Sequence, residues 1–362
     1  HYTFLGYREY EFAAGGDAGG DVTSLSIRPG SGLGILRDDA VQVFGGLRNF
    51  EKLPPEVRLY LRQSRLLTIT KSNQRATVHR AVPMDTIGVK RFDERGRMVG
   101  ERLFVGLLTS VAYSRSPREI PLLRRKVENC LAHAGFDPAS HDGKALLHIL
   151  ETYPRDELFQ MSEEELFDTA LGVLHLQERQ RIALFVRRDP FERFVSCMVY
   201  IPRDRYTTEL RQRIQSILER AWNGQVTTFY TQMTDAPLGR LHVIVATTPG
   251  AIPAVDLSEL EEKLVEAGRS WGDRLRDALV ESAGEAAGLA TFRRYEEAFP
   301  VSYRERFSAH AAVFDIERIE EALERRTLAM NLYRPVEAAG HELRLKVYNA
   351  ADQVALSDVL PM

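Results

Sequence analysis

The sequence lacks the features of a secreted, membrane-spanning or zinc-binding protein. Its two cysteines, Cys130 and Cys197, are far apart and form no CxxC pair, which fits a reducing compartment and excludes a cysteine-based zinc site. The longest apolar runs, such as residues 103–108 and 241–246, are far shorter than the roughly 20 residues of a membrane helix. We therefore expect a cytoplasmic protein with no membrane partner.

Both ends of the chain have the character of cuts in a longer protein. The first residue is His1, and no basic segment followed by an apolar one marks a leader. At the other end Ser357 is suited to cap a helix and Asp358 to follow it in the first turn, but the sequence stops before such a helix is complete. The expectation is that the chain begins and ends inside a larger polypeptide.

No motif of catalysis or cofactor binding is visible. The sequence contains no G-x-S-x-G, SxxK, P-loop or kinase signature, and its nine histidines form no HExxH. The glycine run at residues 30–34 has its third glycine one position too early for a dinucleotide fingerprint. With a net charge of -3 there is also no strong basic field for nucleic acid. The sequence predicts no catalytic, cofactor-binding or metal residue, and no nucleic-acid partner.

What is present is the composition of a soluble globular protein, with 44% hydrophobic and 27% charged residues. Residues 1–113 are predicted to be β-rich, with a hairpin that turns through Gly96 and a short helix from residue 54 or 55 to residue 63. The strands are predicted at residues 2–12, 22–27, 34–36, 66–72, 76–79, 86–92 and 99–110.

The remaining sequence alternates between helical and mixed patterns. Residues 114–179 form a predicted helical connector, with Gly135 ending one helix and Ser140 and Ser162 capping the next two. The later parts are an α/β unit at 180–285, a helical segment at 286–326, and a further unit from 327 to 362 that is cut off. Within the α/β unit, strands are predicted at 181–186, 194–201, 226–232 and 238–247, with helices at 208–222 and from 258 onward.

The fold class predicted by these patterns is α+β and multidomain, with antiparallel sheets that carry helices on one face. The strand at 194–201 should alternate Cys197, Val199 and Ile201 on one face with Ser196, Met198 and Tyr200 on the other. Both faces are apolar, so we expect helices to cover one and another domain or subunit to cover the other.

The segment at residues 187–194 is unusually charged for a connection between two strands. One interpretation is a polar hairpin-like turn in which Pro190 cannot donate to a ladder. The other is an anion-binding turn or an interface, since Arg187, Arg188 and Arg193 offer bidentate recognition of carboxylates.

A second candidate site lies between a strand and a helix at residues 202–207. Backbone N–H groups at the helix start could donate to the carboxylate of an amino acid while Asp204 meets its ammonium group, with Arg203, Tyr206 and Thr207 beside it. The alternative is that Asp204 only pairs with Arg203 or Arg205 and that Thr207 is a helix cap.

Residues 187–206, RRDPFERFVSCMVYIPRDRY, resemble a signature of the large bacterial NAD-specific glutamate dehydrogenases. The stretches FLGYREY at 4–10 and FPVSYR at 299–304 also match, as do Leu343 and the run Lys346, Val347, Tyr348 and Asn349. The matches follow the family's order, so the resemblance covers essentially the whole chain.

The resemblance implies the N-terminal regulatory region of such an enzyme: a PAS-type domain at 1–113, the helical connector, an ACT-like domain at 180–285 and the start of another from 327. It implies that a C-terminal catalytic domain, absent here, oxidises L-glutamate with NAD to 2-oxoglutarate and ammonium. This segment would then be inactive, would self-associate through sheet faces or edges, and would serve allosteric regulation by an amino acid. The alternative is an oligomerisation scaffold without a ligand.

The ACT-like unit departs from the usual order of elements. A standard ACT unit runs β-α-β-β-α-β, whereas here one strand is predicted before the unit and no clear strand follows its last helix. The departure puts effector binding in the familiar ACT loop in question.

Overall fold

The computed structural model describes residues 1–14, 22–38, 40, 41, 43, 65–176, 181–334 and 343–350. Within these residues the chain is α+β, with three antiparallel sheets and no closed barrel. It divides into two compact units, residues 1–265 and 266–362. No helix of the described part is long and apolar enough to cross a membrane.

The first unit opens with a six-stranded sheet in the order β2-β1-β6-β5-β4, with β3 paired to β1. Leu103, Val105 and Leu107 alternate along β6 and are buried on one side. Gly96, with φ of 75°, turns the chain between β5 and β6 as the sequence predicted. The strands are β1 (Tyr2–Ala14), β2 (Val22–Ile27), β3 (Leu33–Gly34), β4 (Leu67–Arg75), β5 (Pro83–Phe92) and β6 (Met98–Leu108).

Five helices follow and pack around a shared apolar core. The predicted stop and caps are confirmed: Gly135 ends one helix at φ of 66°, and Ser140 Oγ accepts from Gly143 N at 3.0 Å. Ser162 and Glu165 cap each other's backbone N–H groups at the start of another. The helices are α1 (Ser110–Ser114), α2 (Pro121–Ala134), α3 (His141–Thr152), α4 (Arg155–Gln160) and α5 (Glu163–Leu176). We call residues 121–176 the first helical segment.

The second sheet has the order β7-β8-β10-β9 and is antiparallel throughout. β7 precedes the helix-bearing part of the unit yet lies at the edge beside β8. It therefore supplies the fourth strand that a β-α-β-β-α-β unit takes from its C-terminal end, which explains the unusual order of elements in the sequence. The elements are β7 (Ala183–Arg188), β8 (Phe194–Pro202), α6 (Thr208–Trp222), β9 (Gln225–Gln232), β10 (Leu238–Ala246) and α7 (Leu257–Ala267).

Both faces of β8 are covered, as predicted. Cys197, Val199 and Ile201 are fully buried, and so is Trp222 of α6, the helix that packs against β9 and β10 of the same sheet. On the opposite face Met198 and Tyr200 belong to the core of the first helical segment, together with Tyr153 and Leu158. The second sheet is therefore sandwiched between its own helix and the first helical segment.

The second unit has a helical part and a two-stranded sheet. Leu275, Tyr295, Phe299 and Ile316 belong to its core. Ser270 and Asp273 form a reciprocal cap at the start of α8. The elements are α8 (Trp271–Ala283), α9 (Glu285–Tyr295), α10 (Val301–Arg306), α11 (Ala309–Arg325), β11 (Ala329–Tyr333) and β12 (Arg344–Tyr348). We call residues 271–325 the second helical segment.

Several predicted elements differ in the structure. No strand forms at residues 76–79, and the strand predicted at 34–36 is β3, with Ile35 and Leu36 in a turn. The helix predicted from residue 258 onward ends at Ala267, because Gly268 has low helix propensity and Ser270 caps a new helix. The helix predicted at residues 54–63 lies outside the described residues.

Candidate functional site

The charged segment between β7 and β8 contains a buried, bidentate ion pair. Arg187 donates from Nε to Glu157 Oε2 at 2.6 Å and from Nη2 to Glu157 Oε1 at 2.9 Å. The two side chains are only 6% and 4% exposed, so the pair is enclosed between β7 and α4. Burial alone would raise the pKa of Glu157, but the charge and hydrogen bonds of Arg187 hold it well below its usual range.

His242 and Ser196 extend this ion pair across the sheet. Ser196 Oγ lies 2.8 Å from His242 Nε2, and the same nitrogen lies 3.6 Å from Glu157 Oε1. A hydrolytic triad needs the carboxylate on the other imidazole nitrogen and a serine open to substrate. Here both contacts fall on Nε2 and all three residues are buried, so the group is suited to joining β8, β10 and α4.

The turn itself joins the second sheet to the first. Asp189 forms a bidentate ion pair with Arg193, at 2.7 and 2.8 Å, and Arg193 also donates to the backbone carbonyl of Lys71 in β4. Phe191, at the tip, is buried in the core that includes Leu103 of the first sheet. The turn is thus a contact between the two sheets of the first unit.

Arg188 differs from Arg187 and Arg193 in its exposure. Its side chain is exposed, with the guanidinium 5.2 Å from the ring centroid of Trp222. Of the three arginines predicted as interface or anion-binding residues, Arg187 and Arg193 bind carboxylates of their own chain. The prediction that they bind an external anion or a second subunit stays a prediction.

A second polar cluster, in which Asp85 is buried and Lys71 and Asp156 are partly exposed, connects the first sheet to the helices. Lys71 Nζ lies 2.5 Å from Asp85 Oδ1 and 3.0 Å from Asp156 Oδ1, and the Tyr113 hydroxyl donates to Asp156 at 2.7 Å. Burial would lower the pKa of Lys71, but the two carboxylates raise it above its usual value. The first sheet, α1 and α4 are therefore held by charged groups as well as by apolar packing.

The predicted effector site is an exposed strand-to-helix loop. Thr207 caps α6, because its Oγ1 accepts from Leu210 N at 3.1 Å, and the Tyr206 hydroxyl lies 3.1 Å from Thr231 Oγ1. Arg203 and Asp204 are exposed, and Arg203 Nη1 lies 3.5 Å from Asp235 Oδ1. The structure thus places the four candidate residues on one loop.

A carboxylate of the chain already lies at the start of α6. The hydrogen bond from its own backbone N–H, and then the Thr207 hydroxyl, hold the pKa of Glu209 below its usual value. An amino-acid carboxylate approaching this helix start would have to displace the Glu209 side chain or bind beside it.

The glycine run near the N-terminus has a packing role. Gly34, with φ of 60°, approaches β1 so closely that a Cβ there would overlap the carbonyl oxygen of Leu5. Among the residues that the structure describes, no group of three or more His, Cys, Asp or Glu side chains could hold a metal ion.

The sequence did not indicate Glu157, His242, Lys71 or Asp156 as functional residues. Asp156 and Glu157 sit in the first turn of α4, where acidic residues usually face solvent and complement the helix dipole. A buried position for Glu157 is signalled only by its apolar neighbours Leu158 and Phe159, and periodicity does not identify its partner.

The fold is a module in which antiparallel sheets alternate with helical segments, joined by buried charged groups. Four family descriptions match in order: glutamate dehydrogenase helical motif 1 at residues 120–179, ACT2 domain at 183–272, helical motif 2 at 278–322 and ACT3 domain at 327–362.

Relatives agree with these matches. An NAD-specific glutamate dehydrogenase of Halomonas elongata is 41% identical over 362 residues, all of this chain and 22% of the relative. The one of Pseudomonas aeruginosa is 36% identical over all of this chain and 22% of the relative, and the one of Mycobacterium tuberculosis is 37% identical over 62% of this chain and 14% of the relative. The chain belongs to the NAD-specific glutamate dehydrogenases and fits their N-terminal regulatory region with ACT domains. The chain spans about a fifth of the length of the relatives from Halomonas elongata and Pseudomonas aeruginosa.

Proposed function

We propose that this chain is a non-catalytic regulatory and assembly segment of a cytoplasmic enzyme that oxidises L-glutamate with NAD to 2-oxoglutarate and ammonium. The catalytic domain lies C-terminal to it in the same polypeptide. The observation that carries the proposal is the Glu157 network, which links α4 to three strands of the second sheet. A domain held in this way can transmit a shift of one part to the others, because packed interfaces move as units.

An activity assay tests the non-catalytic part of the proposal. The 362-residue chain, supplied with L-glutamate and NAD, is expected to produce no NADH above the blank. The full-length relative of Halomonas elongata is the positive control under the same conditions. Turnover by the isolated chain that survives repurification would overturn the proposal.

Self-association is the assembly function that the second sheet supports best, and its edge strand β9 is the surface. Its eight residues carry no charge, and Tyr230 is 61% exposed. Natural sheets usually protect an edge with lysine, proline or a covering element. The outer side of β9 adjoins an open groove of about 410 Å³ against α6, lined by Gln212, Gln215 and Phe229 among others. A second copy pairs antiparallel with β9 about a two-fold axis.

Sedimentation measurements test this surface. We expect the unaltered chain to dimerise, and Tyr230→Lys to weaken the dimer because a lysine on an edge strand opposes strand pairing. Val301→Lys, at an exposed apolar position outside the sheet, is the matched control. A monomeric unaltered chain at high concentration, or a dimer indifferent to Tyr230→Lys, would argue against β9.

Amino-acid sensing at Arg203, Asp204, Tyr206 and Thr207 is the second candidate function. Exposure of Arg203 and Asp204 beside the start of α6 supports it, whereas the Glu209 carboxylate at the same helix start supports the alternative of a scaffold without ligand. Calorimetry with amino acids decides between them. Binding that is lost in Asp204→Ala and kept in the exposed control Asp168→Ala supports sensing; no binding to any amino acid supports the scaffold.

The PAS-type identity of residues 1–113 and the five-part division of the chain remain proposals of the same kind. The six-stranded antiparallel sheet is compatible with a PAS-type domain. A fragment ending near residue 113 that folds alone would support that boundary. The turn at Phe191, however, is expected to leave an open apolar site in such a fragment.

A further inference from the structure

The ammonium group of Lys346 in the second unit is enclosed by aromatic rings and a carboxylate. Its Nζ lies 3.8 Å from the ring centroid of Phe307 and 5.4 Å from those of Tyr303 and Tyr333. It lies 2.5 Å from Oδ2 of Asp315, whose side chain is only 4% exposed. Ring faces and a buried carboxylate around one cation are the chemistry that recognises a primary ammonium.

The cage is preorganised by hydrogen bonds to its carboxylate. Tyr348 donates to Asp315 Oδ1 at 2.6 Å, and Tyr303 donates to Oδ2. Burial, and then the hydrogen bond to Asp315, raise the pKa of the Tyr303 hydroxyl, which keeps it a donor. Tyr303 lies on the same helical segment as Asp315 and therefore orients the carboxylate before the ammonium enters, whereas Tyr348 lies on β12 and reaches it only with the docked hairpin.

The cage lies between the second helical segment and the β11–β12 hairpin. Tyr303, Phe307 and Asp315 belong to the second helical segment, while Lys346 lies on β12. β11 and β12 are five residues each, and an isolated two-stranded hairpin of this length is marginal in water. The outer face of the hairpin is exposed, with Met330 at 60% and Leu332 at 64%.

We propose that the second helical segment carries an ammonium-binding cage, formed by Tyr303, Phe307 and Asp315 with Tyr333, and that Lys346 of the same chain is its occupant. Occupation of the cage docks the β11–β12 hairpin onto the helices. The ligand class is a primary alkylammonium, because three donors on a compact head fit one carboxylate between rings.

Chemical rescue in the 362-residue chain tests this assignment. Hydrogen exchange of the β11 and β12 amides, followed by mass spectrometry, is expected to accelerate about tenfold or more in Lys346→Ala, since the hairpin opens more often. n-Propylammonium, which replaces the deleted atoms, should restore slow exchange in that variant, while n-propanol and tetramethylammonium at equal concentration should not.

Two further variants separate a cage from a general packing effect. Lys346→Met fills the space without a charge, so it should exchange fast and gain nothing from n-propylammonium. Asp315→Asn combined with Lys346→Ala should lose the rescue. Lys263→Ala, which removes an exposed ion pair with Glu259, should leave the hairpin unchanged. Slow exchange in Lys346→Met, or no rescue of Lys346→Ala by n-propylammonium, would overturn the proposal.

Discussion

The two units join a helical segment to a sheet in similar ways but with different chemistry. In the first unit the Glu157 carboxylate on α4 meets the guanidinium of Arg187 on β7. In the second the Asp315 carboxylate on α11 meets the ammonium of Lys346 on β12. In both, the anion lies on the helix and the cation on the strand. We call the Glu157–Arg187 pair the first joint and the Asp315–Lys346 pair the second joint.

The difference lies in geometry and enclosure. Arg187 presents a planar fork that matches both oxygens of Glu157, and its side chain is 6% exposed. Lys346 is a point charge among aromatic rings, and its side chain is 16% exposed. Because a guanidinium fork fixes orientation as well as distance, we expect the first joint to be rigid and the second to open more readily.

Glu157→Ala should have the largest effect, because it leaves the Arg187 charge buried without a partner. We expect a loss of about 3–5 kcal/mol in the free energy of unfolding of the first unit, measured by urea denaturation. Glu259→Ala, which breaks an exposed pair with Lys263, is the control and should cost less than about 1 kcal/mol. Equal effects of the two substitutions would show that Glu157 is not enclosed.

Asp315→Asn should have a smaller effect in the second unit. The amide keeps a partner for the tyrosine hydroxyls, and the flexible Lys346 can turn its ammonium toward water. We expect the free energy of unfolding of the second unit to fall by about 2 kcal/mol, measured as faster hydrogen exchange of its amides. A loss as large as that of Glu157→Ala would contradict the difference between the joints.

Much of this architecture could be predicted from the sequence, because it depends on local patterns. The span of α6 at residues 208–222 follows from its apolar spacing and from Thr207 as cap, and the two faces of β8 follow from strict alternation. The turn at Gly96 follows from the need for positive φ. These features are determined by neighbours in the sequence.

The partners of charged residues could not be predicted in this way. The sequence indicated that Arg187 could recognise a carboxylate, but it did not indicate Glu157, which lies 30 residues away and looks like an ordinary acidic residue in a first helical turn. The placement of β7 beside β8 likewise depends on the tertiary fold. Contacts between residues that are far apart in the sequence leave no periodic pattern in a single sequence.

Lys126 should make the stability of the first helical segment depend on pH, a dependence that the second helical segment need not share. Its Nζ donates to the carbonyls of Leu158 at 2.8 Å and Phe159 at 3.1 Å, near the end of α4. Burial lowers the pKa of Lys126 to about 8 from the ordinary 10.5. Between those values the unfolded chain binds more protons than the folded one, so the contribution of Lys126 to stability rises with pH.

Lys126→Met tests this response. We expect the variant to be less stable by about 1–2 kcal/mol, because the carbonyls lose their donor. The difference from the unaltered chain should grow as the pH is raised from 8 to 10.5 in urea denaturation. A difference that shrinks over this range would mean that Lys126 has a raised pKa.

The helix caps should give the smallest effects and the most similar ones in the two units. Thr207 caps α6 and Ser308 caps α11, each through a side-chain oxygen that accepts a backbone N–H three residues on. Thr207→Ala and Ser308→Ala should each cost about 1 kcal/mol in thermal or urea unfolding. Widely different costs would show that one of these helix starts has a further role.

The most direct test of the first joint is a double-mutant cycle on Glu157 and Arg187. The free energy of unfolding is measured for the unaltered chain, for Glu157→Met, for Arg187→Met and for both together. Each single change leaves an uncompensated buried charge, while the double change removes both charges and keeps the apolar volume. A coupling energy of about 2 kcal/mol or more is expected. A coupling energy below about 0.5 kcal/mol would contradict the role of this pair in holding the second sheet to the helices.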